Sequence, residues 1–179
     1  MLRIAGIEPE SYVDGPGIRM TIFTQGCNHH CPGCQNPQTH DFSLGHTIGL
    51  DEILSMIEDN PLLDGVTFSG GDPMDQCEEL VPLAREIKER GLNLIIYTGY
   101  TYERLLELSR GRPGFLELLT FADILIDGPF LMAKKSMEVK FRGSLNQRII
   151  DVQQSLVEGQ VILHRIQLDE MQEHPDLFE

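Results

Sequence analysis

Three thiols fall within eight residues of this chain, in the segment Gly26-Cys27-Asn28-His29-His30-Cys31-Pro32-Gly33-Cys34. Thiolates so close together can hold a soft metal or an iron–sulfur cluster. On a helix the C-x3-C-x2-C spacing would make one stripe at i, i+4 and i+7, a seam of small packing residues. Pro32-Gly33 argues for a loop instead. A disulfide framework would spread its cysteines out, because short loops restrain little chain entropy. A structural zinc ion closes with four ligands and would need Cys77, His29 or His30 as the fourth. An iron–sulfur cluster usually takes four cysteines, so three would leave one iron open to a substrate or cofactor.

A second candidate is Ser69-Gly70-Gly71-Asp72-Pro73. Small residues after a strand let main chain approach a ligand. The ordinary alternative is a strand-to-helix turn with Asp72 as a cap. Cys77 stands apart from the other thiols and reads as a small filler in helix packing.

The elements that must position these groups alternate between strand and helix. Residues 20–24, 65–69, 93–97 and 123–127 are short apolar runs bounded by glycine or polar residues, and each predicts a strand. Residues 51–58 carry apolar side chains at helical spacing, with Asp51 as the expected cap. Residues 76–90 place Leu80, Leu83, Ala84 and Ile87 on one face, with Gly91 as the stop. Pro82 fits that helix only in its first turn. Residues 102–108 and 114–120 read as helices broken by Gly111, Pro113 and Gly114. Alternation of this kind predicts right-handed βαβ units and a mostly parallel sheet covered on both faces. Beyond residue 136, residues 147–152 and 160–163 read as strands with no strong helix between them. Residues 170–179 read as a frayed tail of a single domain spanning 1–179.

Composition bounds the function. The chain has 179 residues, 41% hydrophobic and 23% charged, enough for a sizeable core and too apolar for disorder. Fourteen Lys and Arg against 28 Asp and Glu give a net charge of −14. Such a surface repels phosphate backbones and anionic headgroups, so neither nucleic acid nor a membrane is the expected partner. No apolar run reaches membrane-spanning length. The opening MLRIAGIEPE lacks the apolar stretch of a signal peptide, so the expected compartment is the reducing cytoplasm.

The cysteine spacing resembles that of the radical S-adenosylmethionine (SAM) superfamily. Asp14-Gly15-Pro16-Gly17-Ile18-Arg19 is similar to the DGPGxR segment of glycyl-radical-enzyme activases, and Asn36 follows the last cysteine as it does there. Ser69-Gly70-Gly71-Asp72-Pro73 resembles the family's GGE/GGD motif. Tyr97-Thr98-Gly99-Tyr100, Asp127-Gly128-Pro129-Phe130 and Phe141-Arg142-Gly143-Ser144-Leu145-Asn146-Gln147-Arg148 resemble blocks of the activases of anaerobic ribonucleotide reductase. The resemblance runs from about residue 13 to about 151, in the family's order.

The resemblance implies a partial (βα) barrel of mostly parallel strands with outer helices, of the radical SAM type. It implies a 4Fe-4S cluster on Cys27, Cys31 and Cys34, with SAM on the fourth iron. Reductive cleavage of SAM would give methionine and a 5′-deoxyadenosyl radical, which would take a hydrogen from a glycine Cα of a large partner, the anaerobic ribonucleotide reductase. A low-potential donor such as flavodoxin or ferredoxin would supply the electron. SAM would meet Gly33, Cys34, Gln35, Gly70, Gly71 and Asp72. Gly33 stands where many family members carry an aromatic, so only main-chain contacts carry over there. No side chain is expected to act as general acid or base. His29 and His30 match variable positions and are expected to be exposed. Asp127 would meet the cofactor or a cation, or simply sit in a turn. Arg142, Asn146 and Gln147 would serve docking, or form a solvated strand with one ion pair. The alternatives are an activase of the pyruvate formate-lyase type, a zinc-binding adaptor without redox chemistry, and a radical SAM enzyme acting on a free metabolite.

Overall fold

The computed structural model describes residues 1–179. The chain begins with β1 (Leu2–Ser11), which pairs antiparallel with both β2 (Arg19–Thr24) and β3 (His46–Ile48). From β2 the sheet continues through β4 (Gly65–Gly70), β5 (Asn93–Tyr97) and β6 (Ile124–Asp127), all parallel. It ends at β7 (Arg148–Asp151), antiparallel to β6. The order is β3-β1-β2-β4-β5-β6-β7, so the edges do not meet and the sheet stays open. The four apolar runs form the parallel core that they predict, and β1, β3 and β7 add antiparallel flanks that the expectation of a mostly parallel sheet did not include.

Side chains alternate across each strand, and the two faces bury different things. Met20, Ile22, Val66, Phe68, Leu94, Ile96 and Leu125 point to the helical side. There they pack on Ile53 and Ile57 of α1 (Leu50–Glu58), on Leu80, Leu83, Ala84 and Ile87 of α2 (Cys77–Glu89), and on the connections that follow β5. Those connections are α3 (Tyr102–Leu108) and α4 (Gly114–Phe121), which contribute Leu105, Leu118 and Leu119. On the inner face, Ile95, Ile124, Ile126 and Ile149 form a smaller cluster with Phe141.

The N-terminal end of that inner face is closed by Arg19, 1% exposed. Its Nε donates to Thr67 Oγ1 at 2.8 Å, Nη2 to Val66 O and Asn93 Oδ1 at 2.9 Å each, and Nη1 to Pro16 O at 3.1 Å. Burial pulls its pKa down to about 10, still charged at neutral pH. Asp14 accepts from Thr21 Oγ1 at 3.0 Å. The Asp14–Arg19 segment thus closes the end of the sheet opposite the strand C-termini.

Several local expectations change. Gly49 caps α1, and Asp51 falls inside its first turn with Glu52, where acidic charge favours the helix dipole. Pro82 lies in the interior of α2. It faces solvent, so water can satisfy the carbonyl that its missing N–H leaves free. Residues 160–163 form no strand beyond one bridge, Ile150 to Leu163. A helix does separate them from β7: α5 (Val152–Glu158), capped by Asp151. Residues 170–173 complete α6 (Arg165–Glu173), and Pro175–Leu177 form a 3₁₀ turn. The ten-residue tail therefore starts inside a helix, held by Glu170, which is 1% exposed. No helix is long and apolar enough to cross a membrane.

Candidate metal centre

The C-terminal ends of β2, β4, β5 and β6 all point to one side, where their following loops meet. In parallel sheets this is where ligands bind. The loop after β2 carries the cysteines, and main-chain bonds fix its start. Gly26 N donates to Thr39 O at 2.7 Å and Cys27 N to His40 O at 3.1 Å. Cys34 N donates to Cys31 O at 3.1 Å, closing a turn around Pro32-Gly33.

The loop after β4 is bound to it directly. Gly71 N donates to Thr24 O and Asp72 N to Gly26 O, each at 2.8 Å. A Cβ on Gly71 would lie 2.2 Å from Gly26 O, so glycine is what allows the two loops to touch. The third loop adds Thr98 and Gly99, and the fourth adds Gly128 and Phe130.

Together they enclose a cavity of about 150 Å³, lined by Cys27, Cys31 and Cys34 and by Gly70, Gly71 and Asp72. All four cysteines are free. Cys27 Sγ accepts His29 N at 3.5 Å, and Cys34 Sγ accepts Asn36 N at 3.4 Å. Burial pushes the Cys27 thiol up to about 11 against the N–H groups of His29 and His30. Cation binding there would release its proton. Three unpaired thiols around one cavity, two of them receiving N–H bonds, are a donor set that fits an iron–sulfur cluster.

Cys77 is elsewhere. It is fully buried in the main core, where burial raises its thiol to about 12.

Asp72 is completely buried and accepts several hydrogen bonds. Its donors are Met74 N at 2.9 Å, Gly99 N at 2.9 Å, Thr98 Oγ1 at 3.0 Å and His29 Nε2 at 2.7 Å. His29 is therefore not the exposed residue expected of its position; its side chain is 18% exposed. It packs edge-on against Tyr100 at 4.4 Å. Burial pulls its pKa down, but the bond to Asp72 and the charges of Asp72 and Asp75 outweigh this and leave it raised. Asp75 reinforces the grip, accepting Asn28 N at 3.1 Å and Tyr100 Oη at 2.8 Å. Its own pKa is raised by burial and by the nearby Asp72 charge. The sequence offers His29 only as a zinc ligand or an exposed residue, offers Thr98 and Tyr100 only within a family-like block, and leaves Asp75 unassigned. The acid three residues after Asp72 was the available signal. His30 is exposed.

The remaining candidates separate. Gln35 reaches a second, larger cavity, which Cys34 also borders. Gly33 borders neither cavity; a Cβ on it would press Met132 Sδ at 2.3 Å. Asp127 is 1% exposed and faces away from both. Its carboxylate takes Arg148 Nε at 3.0 Å and Tyr102 N at 2.8 Å. Gln147 lines both cavities, accepting Gly143 N at 2.9 Å and donating to Gly128 O at 3.1 Å. Asn146 Nδ2 donates to Pro129 O at 2.8 Å. Arg142 is buried against Glu170 in a loop, so the segment is no solvated strand.

Known proteins resemble this chain in sequence. The family described as a 4Fe-4S single cluster domain matches residues 13–150. The anaerobic ribonucleoside-triphosphate reductase-activating protein of Haemophilus influenzae is 32% identical over 151 residues, 79% of this chain and 92% of that protein. Its counterpart in Vibrio cholerae is 34% identical over 149 residues, with the same coverage. That of Enterobacteria phage T4 is 31% identical, covering 80% of this chain and 90% of that protein. Among solved structures, QueE from Escherichia coli aligns at a TM-score of 0.42 and 22% identity, over 56% of this chain and 53% of that one. A cysteine loop set at the strand ends, a cluster-domain match spanning most of the chain and relatives aligned over four fifths of it lead to one conclusion: the chain belongs to the family of anaerobic ribonucleoside-triphosphate reductase-activating proteins, built on a 4Fe-4S single cluster domain.

Proposed function

We infer that this chain activates an anaerobic ribonucleotide reductase by creating a glycyl radical on it, with SAM as co-substrate. The observation that carries the reading is the cavity at the strand ends, where three free thiols face the Gly70-Gly71-Asp72 turn. Cys27, Cys31 and Cys34 would hold the cluster. Three thiols are one fewer than an all-cysteine cluster uses, which leaves room for a ligand from outside the chain. When bound, the cluster and SAM supply the electron and the oxidising radical for hydrogen abstraction from a glycine Cα.

The chain's own part is placement and exclusion of water. Cys34, Gly70 and Gly71 line the cavity, whereas Gln35 lines the neighbouring one and Gly33 borders neither. Asp72 already serves Met74, Thr98, Gly99 and His29, so it would meet a cofactor amino group by exchanging His29 for it. Tyr97 and Phe130 separate this cavity from the next. The reading calls for a low-potential donor, flavodoxin or ferredoxin in kind, and for a cytoplasmic setting.

The test is to reconstitute the chain anaerobically, reduce it, and mix it with SAM and the reductase. About four irons per chain and a glycyl doublet in the paramagnetic resonance spectrum are expected. Stoichiometric zinc with no iron uptake would overturn the reading in favour of an adaptor. A doublet on a pyruvate formate-lyase but not on the reductase would redirect it to another partner.

A further inference from the structure

The face around the cysteine loop differs in charge from the rest of the chain. Residues 26–40 and 128–137 contain no Asp or Glu, although the chain has 28 acids in all. The first stretch is the cysteine loop, and the second opens the segment that joins β6 to β7. The two meet where the Met132 side chain lies over Gly33, so close that a Cβ there would stand 2.3 Å from Sδ.

Lys134 and Lys135 stand in the second stretch, both exposed. Neither forms an ion pair, whereas Arg85, Lys88, Arg90, Arg104, Arg112 and Arg148 each hold a carboxylate. Main-chain bonds fix the backbone beneath the two ammonium groups. Leu145 N donates to Lys134 O at 2.9 Å and Ser136 N to Gly143 O at 3.2 Å. On either side lie Met132, 56% exposed, and Met137, 85% exposed. Methionine is enriched where proteins meet. Free cations between exposed thioethers suit a protein surface rich in carboxylates. The net charge of −14 repels such a partner elsewhere, so this face also sets its orientation.

Position narrows the partner further. Cys27 is buried, but Cys31 and Cys34 are only half-buried. The Pro32-Gly33 turn that joins them is exposed and carries no long side chain. A glycine Cα must enter the cavity to lose its hydrogen, whereas an electron can cross a thin wall of polypeptide. This outer face therefore suits an electron carrier.

Resting on the reading above, we propose that Lys134, Lys135, Met132 and Met137 form the docking surface for an acidic redox protein, which delivers its electron across the Pro32-Gly33 turn. The carrier is oxidised by one electron and the cluster gains it, with no bond made or broken.

The test mixes the cluster-loaded chain with a reduced, acidic flavodoxin and follows the loss of cluster absorption by stopped flow, with binding read in parallel by interferometry. Lys134→Glu with Lys135→Glu should slow reduction and weaken binding by about tenfold or more at low salt. Added salt should slow the unmodified chain and narrow the gap between the two. The matched reversal on the helical layer, Arg85→Glu with Arg110→Glu, should have a far smaller effect. Unchanged reduction in the lysine variant overturns the proposal, and so does an equal loss in the matched control, which would assign the effect to net charge. In a second arm dithionite reduces the cluster and the reductase is added with SAM. There the lysine variant should make glycyl radical at the unmodified rate; a loss in that arm gives the surface to the reductase and overturns the proposal. If the unmodified chain reduced by dithionite makes no glycyl radical, the functional reading fails, and the stopped-flow arm keeps that failure separate from this one.

Discussion

His29 Nε2 and Asp72 Oδ2 lie 2.7 Å apart, and this contact joins the middle of the cysteine loop to the turn that follows β4. Asp72 is buried and also holds Met74 N, Thr98 Oγ1 and Gly99 N. One carboxylate therefore organises three of the four loops around the thiols. Asp72→Ala would strand all these donors and should destabilise the fold by about 3 kcal/mol or more. Urea unfolding of the metal-free chain reads the loss. A change within experimental error would mean that the carboxylate does not organise the loops.

Gly71 is the point of closest approach between the β4 turn and the cysteine loop. Gly71→Ala forces a methyl against Gly26 O, which would lie 2.2 Å away. The expected cost is about 1–3 kcal/mol, together with lower iron retention after anaerobic reconstitution. Full iron loading at unchanged stability would show that the loops part without penalty.

The four cysteines should divide into two groups. Alanine at Cys27, Cys31 or Cys34 should abolish the visible absorption of the reconstituted chain with little effect on folding of the metal-free form. Cys77→Ala should keep the iron and lose about 1 kcal/mol of stability, because its sulfur fills the packed core. Iron loss in the Cys77 variant would bring that thiol into the ligand set.

Glu78 gives a pH signature. Arg112 donates to it through Nε at 2.7 Å and through Nη2, and this pulls the Glu78 carboxyl down to about 2. A depressed carboxyl stabilises the fold above its unfolded value, near 4.5, and the contribution disappears as pH falls toward 2. Both side chains are well exposed, 38% and 50%, so solvent screening limits the effect to about 1 kcal/mol or less. Unfolding of Glu78→Gln should differ from the unmodified chain at pH 7 and converge with it between pH 4.5 and 2. A gap that persists at pH 2 would assign the effect to packing.

The parallel centre of the fold was legible because β2, β4, β5 and β6 carry their apolar residues locally, bounded by turn residues. The cysteine loop was legible because Pro32-Gly33 leaves no helical reading. Elements that depend on distant partners were not. β1 mixes buried Leu2 and Ile4 with exposed Glu8 and Glu10, and becomes a strand by pairing with β2 and β3. The end of the chain reads as a frayed tail until Glu170 meets Arg142, 28 residues earlier in sequence. His29 is a variable loop position by type, and only the turn after β4 reveals its partner. Arg19 reads as part of a motif, and the structure gives it a task at the opposite end of the sheet from the thiols.

The hydrogen bonds from Gly26 N to Thr39 O, from Cys27 N to His40 O and from Asp72 N to Gly26 O are all made by polypeptide alone. Bonds of this kind need no ligand, so a loop tethered by them has less chain entropy to surrender when inorganic cargo arrives. The ends of the parallel strands would then serve as a fixed holster for a perishable part.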